Sequence, residues 1–313
     1  MARIVFMGTP EYATVSLHAL VERHEVVLVV TQPDRRQGRG RTVTYSPVKA
    51  YALQHALPIW QPPTLRKPEA VERLRETGAD LYVTAAIGLI LPAEVLALPP
   101  HGCLNVHASL LPRWRGAAPI AAAIVHGDDE TGVTLMQTDE GLDTGPIVAQ
   151  ARCPIRPDDT TERLTPRLAQ LGADLLAETL PRWLGGEIEP QPQPKGGVTY
   201  APRLSKRDGQ IDWQQPALHI ERTIRAYTPW PGTYTTYEGQ RLLVLQARAL
   251  PEWQGPGEPG QVISLPDERI AVVTGQGALH VIEIQQAGRN PTSPQAFVRG
   301  HRDLLGATLG TSG

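Results

Sequence analysis

Short, nearly uninterrupted apolar runs, each followed by a helical stretch, are the feature that most constrains this chain. The runs are "RIVFMG" (3–8), "EVVLVVT" (25–31), "LPIW" (57–60), "ADLYVTAA" (79–86) and "CLNVH" (103–107). Helices are expected near 11–22, from about Pro47 to His55, and near 68–77. A strand without polar alternation has no face to offer water, so the pattern predicts an α/β fold whose parallel sheet is covered on both sides. "TGVTLMQTD" (131–139) and "PIVAQARCPI" (146–155) lie close enough in sequence to be antiparallel additions at one edge. A long helix is expected from about Thr160 to Leu184.

The character then changes. "GGEIEPQPQPKGGVTYAPRLSK" (185–206) is rich in Pro, Gly and Gln and reads as a linker. A helix at 216–227 follows, and then "TYTTYEGQRLLVLQARAL", hinged at Glu238-Gly239, "QVISL" and "RIAVVTGQGALHVIEIQ". Short strands with glycine turns predict a small barrel or sandwich. At 313 residues the chain accommodates two domains. The expected boundaries are 1–189 for the first, 190–207 for the linker and 208–313 for the second.

A net charge of −2 excludes broad basicity as a nucleic-acid signal, so any such contact must be local. Residues 203–313 carry eleven Lys and Arg against ten Asp and Glu, a balance of +1. The two cysteines, Cys103 and Cys153, form no CxxC pair or ligand cluster, which argues against a disulfide framework or a structural metal. "MARIVFMGTPEYA" reads as a strand and turn rather than a signal peptide, and no run reaches ~20 apolar residues. A cytoplasmic protein, monomeric and without a membrane anchor, is expected.

The first strand ends in "MGTPEY" (7–12), where a dinucleotide fold would carry its glycine fingerprint. One glycine followed by Pro10 does not give the close backbone approach that a pyrophosphate needs, so a bound dinucleotide is disfavoured. Asn105 and His107 are two apart on a strand and share a face. They sit at the strand's C-terminal end, where open α/β sheets bind ligands. An amide donor beside a proton-handling imidazole suits acyl transfer, although a lone histidine there can equally cap a helix or satisfy a loop. Asp139, Glu140 and Asp143 crowd the glycine-rich segment "TDEGLDTGP", and spacing does not choose among them. Ser109 is too close in sequence to His107 to form a triad, and no G-x-S-x-G elbow occurs. "DRRQGRGR" (34–41) puts Arg35, Arg36, Arg39 and Arg41 in eight residues. Such a loop either stays solvated or engages phosphates.

"NVHASLLPRWRGAAPI" together with "TGVTLMQTDEGLDTGPI" resembles the 10-formyltetrahydrofolate-dependent formyltransferases. The likeness extends over nearly the whole chain through "VFMGTPEYA", "TQPDRRQGRGR", "SPVK", "GLILP", "LSKRDGQIDW" and "IRAYTPWPGTY", and is strongest to the members that formylate charged initiator tRNA. The resemblance implies a Rossmann-like domain, a linker and a C-terminal β-barrel resembling an OB fold. It implies transfer of the formyl group of 10-formyltetrahydrofolate, as co-substrate and without a metal, to the α-amino group of methionine on initiator tRNA. Asn105, His107 and Asp143 fall on the family's catalytic positions. Ile87, Gly88 and Leu89, the "SLLP" signature of Ser109, Leu110, Leu111 and Pro112, and Asp139 fall on its folate-binding positions. Arg39, with Arg35, Arg36 and Arg41 in the same loop, and Lys206 fall on positions implied to meet the tRNA.

Two departures stand out. Family members commonly carry an aromatic where this chain has Ile87, and the second domain is near-neutral rather than basic. The rival expectations are a sugar-nucleotide N-formyltransferase, a dinucleotide-dependent oxidoreductase and a non-catalytic tRNA-binding protein. The first shares the chemistry, the second lacks the fingerprint, and the third leaves Asn105 with His107 unexplained.

Overall fold

The computed structural model describes residues 1–37 and 42–310. The chain opens with β1 (Arg3–Gly8), α1 (Glu11–Val21), β2 (Glu25–Val30), the short strands β3 (Arg35–Gln37) and β4 (Thr42–Thr44), α2 (Pro47–Gln54) and β5 (Ile59–Trp60). It continues through α3 (Pro68–Arg75), β6 (Leu81–Ala85), α4 (Ala93–Leu96), β7 (Cys103–His107), β8 (Arg115–Gly116) and α5 (Pro119–His126). Then come β9 (Glu130–Gln137), β10 (Ile147–Pro154), α6 (Thr161–Leu184) and β11 (Tyr200–Ala201). The remainder holds α7 (Ala217–Ala226), β12 (Thr233–Tyr237), β13 (Gln240–Leu250), β14 (Val262–Ser264), β15 (Ile270–Val273), β16 (Ala278–Gln286) and α8 (Pro294–Gly300).

The main sheet has seven strands in the order β10-β9-β7-β6-β1-β2-β5. Its five strands from β5 to β7 are parallel, and β9 and β10 are the antiparallel additions expected at one edge. Burial follows the prediction from the apolar runs. Val5 and Met7 of β1 join a core with Leu28, Val30, Leu74 and Tyr82, while Ile4 and Phe6 on the opposite side are also fully buried. Removing each such side chain from water contributes ~1.5–3 kcal/mol. Helix α6 lies close to the sheet through Gly172, where an added Cβ would come 2.8 Å from Val106.

Besides the short helices α4 and α5, three features escaped the sequence reading. Part of the loop expected over 32–47 is an antiparallel pair, β3 with β4. Helix α2 behind it is capped by Ser46, whose Oγ accepts from the Lys49 amide at 3.1 Å. Second, the proline-rich stretch after α6 does not run free. Ile147 and Gln191 exchange backbone hydrogen bonds of 2.7 and 2.8 Å, and β11 pairs in parallel with β8. Third, α8 adds a helix near the C-terminus, capped by Ser293.

The chain separates into two compact units that do not follow sequence order. The first comprises Met1–Pro119, Glu130–Pro154 and Thr165–Pro202, and the second Ile120–Asp129, Ile155–Leu164 and Arg203–Gly313. The second unit contains a five-stranded antiparallel sheet, β12-β13-β16-β15-β14. Its first hairpin turns at Glu238 and Gly239, as the sequence predicts, with φ of 49° and 71°. Two positive φ values match the twist of flanking strands. Register shifts beside Gln246 in β13 mark bulges, which bend a strand and curl its sheet. Trp213, Ile220, Ile224, Leu242, Val244, Leu279 and Val281 form its core.

Candidate active site

Strand β7 delivers Asn105 and His107 at the C-terminal end of the parallel sheet, in register with Thr84 of β6 and with Met136 and Thr134 of β9. Thr84 Oγ1 donates to Asn105 Oδ1 at 3.0 Å, which turns the amide nitrogen toward Asp143. Asn105 Nδ2 donates to Asp143 Oδ1 over 3.4 Å. The same carboxylate oxygen lies 3.7 Å from His107 Nδ1. His107 Nε2 donates to the backbone carbonyl of Trp114 at 3.0 Å. Both ring nitrogens therefore face oxygen atoms.

The two acceptors that flank His107 come from residues in left-handed backbone conformation, Trp114 at φ 62° and Asp143 at φ 53°. Non-glycine residues hold such angles at a cost of ~1–3 kcal/mol, and keep them only where neighbours enforce them. Those neighbours are visible. The Trp114 amide donates to Thr199 Oγ1 at 2.9 Å, and the Gly116 amide donates to Asp143 Oδ2 at 2.8 Å. Gly116 itself has φ 118°, and an added Cβ would stand 2.6 Å from the Ala201 carbonyl oxygen. Gln193 donates to the carbonyls of Asp143 and Gly145 at 2.9 and 2.7 Å and accepts from the Arg115 guanidinium at 3.1 and 2.6 Å. Thr84, Trp114, Gly116 and Gln193 were given no role from the sequence. Thr84, a lone hydroxyl late in an apolar strand, offered a hint, and Trp114 and Gly116 lie inside the quoted 105–120 motif.

The geometry separates the three acids that spacing left open. Asp143 turns toward Asn105 and His107, while Asp139 folds back on its own loop and accepts from Thr144 Oγ1 at 2.7 Å and from the Gly141 amide at 3.1 Å. Glu140 is exposed. Within "SLLP", Ser109 and Leu111 are buried and Leu110 and Pro112 half-buried. Ser109 Oγ donates to the Arg113 carbonyl at 2.6 Å, so its hydroxyl shapes the loop. At the "GLILP" segment Ile87 is buried and Leu89 half-buried, whereas Gly88 and Ile90 are exposed. Gln32 Nε2 donates to the carbonyls of Ile87 and Gly88 at 2.9 and 3.3 Å.

Arg113 lies over the Trp114 ring, 4.2 Å from its centroid, and Arg115 is buried. Arg39 and Arg41 lie outside the described residues, and Arg35 and Arg36 belong to β3. Asp34, at the foot of that hairpin, pairs with Lys49 and accepts from Gln61 Nε2 at 2.8 Å. Lys206 is exposed and belongs to the second unit. Cys103 and Cys153 are free and buried, and burial pushes the Cys103 thiol up to about 12, leaving it neutral and unreactive. Among the described residues no three His, Cys, Asp or Glu side chains gather where they could hold a metal ion, and no helix is long and apolar enough to cross a membrane.

Known proteins share this arrangement of domains. Residues 2–180 match the family described as formyl transferase, and residues 203–302 match its C-terminal domain. The methionyl-tRNA formyltransferase of Myxococcus xanthus is 50% identical over 300 residues, covering 96% of this chain and 95% of that protein. That of Symbiobacterium thermophilum is also 50% identical, over 302 residues, covering 96% of this chain and 93% of that protein. Among solved structures, the N-formyltransferase from Helicobacter canadensis, in complex with folinic acid and dTDP-3-aminofucose, superposes with a TM-score of 0.67. It covers 91% of this chain and all of its own at 19% identity, a likeness of fold alone. HypX from Aquifex aeolicus, bound to tetrahydrofolic acid, gives 0.62 at 21% identity and covers 95% of this chain and 47% of its own. With both domain families matched in order and half of all positions shared with such full-length relatives, the chain belongs to the formyltransferase family and, within it, to the methionyl-tRNA formyltransferases.

Proposed function

We propose that the chain transfers the formyl group of 10-formyltetrahydrofolate to the α-amino group of methionine on initiator tRNA. The observation that carries the chemistry is the convergence of Asn105, His107 and Asp143. Two segments 38 residues apart meet within 3.7 Å at the end of a parallel sheet. The amine must be neutral to attack, and α-amino groups titrate near ~7.7–8.0. As its nitrogen bonds to the formyl carbon, the carbonyl oxygen gains negative charge. Asn105 has a second amide hydrogen to give that oxygen, and one such donor is worth ~10²–10³ in rate. His107, set between the Trp114 carbonyl and the Asp143 carboxylate, lies beside the same charge and can donate to it. Asp143 orients the ring and takes part in moving the proton lost by the amine. The bond from the formyl carbon to the folate nitrogen then breaks, that nitrogen gains a proton, and tetrahydrofolate leaves.

In the same reading Ile87, Gly88, Leu89, Leu110 and Pro112 border the folate. Ser109 and Leu111, both buried, act there by shaping their loop, and Asp139 by tying back its own. Arg35, Arg36, Arg39, Arg41 and Lys206 meet the tRNA, the first 189 residues carry the chemistry, and residues 208–313 form an OB-like tRNA-binding domain joined by 190–207. The enzyme works as a cytoplasmic monomer without a metal.

The decisive assay offers labelled 10-formyltetrahydrofolate with charged initiator tRNA, with an amino-sugar nucleotide, or with neither. Label on methionyl-tRNA is the expected result. Label only on the sugar would replace this acceptor with the rival one, and no transfer at all would leave a binding protein.

A further inference from the structure

The geometry points to Gln193 and Arg115 as a positioning pair that holds Asp143 against His107, so that a residue of the proline-rich segment tunes the transfer step. The inference rests on the reading that Asp143 acts in the reaction. Its starting point is a buried cation. Arg115 is only 9% exposed, and the side chain that meets its guanidinium is the neutral amide of Gln193. A buried guanidinium needs acceptors, and Gln193 Oε1 takes two of its hydrogen bonds, at 3.1 and 2.6 Å.

With Oε1 committed to Arg115, the orientation of the amide is fixed by chemistry, and its nitrogen must face acceptors. It does, donating to the carbonyls of Asp143 and Gly145 at 2.9 and 2.7 Å. Asp143 is the residue that holds φ 53° while presenting its carboxylate to Asn105 and His107. A left-handed aspartate needs restraint on both its backbone and its side chain. The Gly116 amide restrains the carboxylate at 2.8 Å, and Gln193 restrains the carbonyl. Gly116 follows Arg115 directly, so one short strand, β8, supplies the carboxylate's donor and the anchor of Gln193. Gly145 closes the other side, because an added Cβ there would stand 1.8 Å from the Gln137 carbonyl oxygen and the loop has no room to shift. A side-chain amide of this length is the group that can accept from a guanidinium while donating to two carbonyls.

The test is steady-state kinetics on the full chain with thermal melting alongside. For Gln193→Ala we expect kcat to fall about 10- to 100-fold, the scale of an ångström-level misplacement, with KM for both substrates within about threefold. Gln193→Glu keeps the acceptor for Arg115 but loses both donors, so its kcat is expected to stay about as low while its melting temperature remains near that of the parent. This second variant also serves if Gln193→Ala does not fold. Wild-type kcat in Gln193→Glu would overturn the inference, as would a lowered melting temperature with unchanged kcat in Gln193→Ala. Asp143→Asn in the same assay separates the two levels. If Asp143→Asn keeps full activity, the underlying site assignment fails. If it is impaired while both Gln193 variants are not, only the positioning role fails.

Discussion

Strand β7 of the first unit and strand β12 of the second are each five residues long, yet they treat polar groups in opposite ways. Along β12 burial alternates residue by residue, Thr233, Thr235 and Tyr237 inward and Tyr234 and Thr236 outward, and its hairpin turn uses Glu238-Gly239 with backbone angles suited to it. Strand β7 begins with buried Cys103 and Leu104 and ends with Asn105 and His107, flanked in space by two residues in left-handed conformation. The second unit keeps its left-handed non-glycine residues, Glu238 and Glu268, in turns between antiparallel strands. The first gathers two of its own, Trp114 and Asp143, around one sheet end, where the surrounding hydrogen bonds hold them in place. Local rule-breaking that is compensated by several independent restraints singles out this sheet end as the candidate site.

That contrast can be broken at either pole. Leu279, fully buried in the second unit's core, should cost the most when cut to Ala, about 2–5 kcal/mol of stability by denaturant titration. Its kcat in the surviving folded protein should change little, and a large loss of kcat would mean that the two regions are not separable in this way. Asn105→Ala should do the reverse. A loss of about 10²–10³ in kcat is expected, equivalent to ~2.7–4 kcal/mol, while the melting temperature stays close to the parent's. Near-normal turnover in that variant would remove Asn105 from the chemistry.

Gly116→Ala lies between the two. Its φ of 118° and the 2.6 Å approach to the Ala201 carbonyl predict ~1–3 kcal/mol of destabilisation together with lower activity, because the Gly116 amide would leave Asp143. Stability lost with activity retained would separate the carboxylate from its backbone donor.

The smallest effect concerns acid. Hydrogen bonds from Lys49 and then Gln61 hold the Asp34 carboxyl below the ordinary carboxylate range. A lowered folded-state value contributes stability that is present above the unfolded ~3.9 and lost as pH falls through the folded value. Lys49→Met should therefore shrink the drop in melting temperature between about pH 5 and pH 3, the interval spanning that unfolded value. An unchanged acid limb would show that the foot of the β3–β4 hairpin does not depend on this pair.

Much of the molecule was legible in the residues. Uninterrupted apolar runs announce a sheet buried on both faces, and the order of runs and helices gives its five parallel strands, β1, β2, β5, β6 and β7. Asn105 and His107 could be paired from their spacing alone, because a strand's period of two fixes which side chains share a face. Asp143 could not be chosen over Asp139 by the same means, since both lie in a loop where no period applies. The hairpin inside 32–47 was missed because its strands are three residues each, too short to show alternation. Gln193 was hidden by distance, fifty residues from Asp143 in a stretch whose composition reads as a linker.

The sequence by itself determined the two kinds of sheet, the strand that bears the polar pair, and the family. Those follow from local periodicity and from motifs, which need no knowledge of what lies across space. Only the tertiary structure decided which acid faces His107, where Arg115 is anchored, and that a proline-rich segment reaches back to restrain the site. These depend on hydrogen bonds between groups far apart along the chain, whose geometry exists only once the backbone has closed around them.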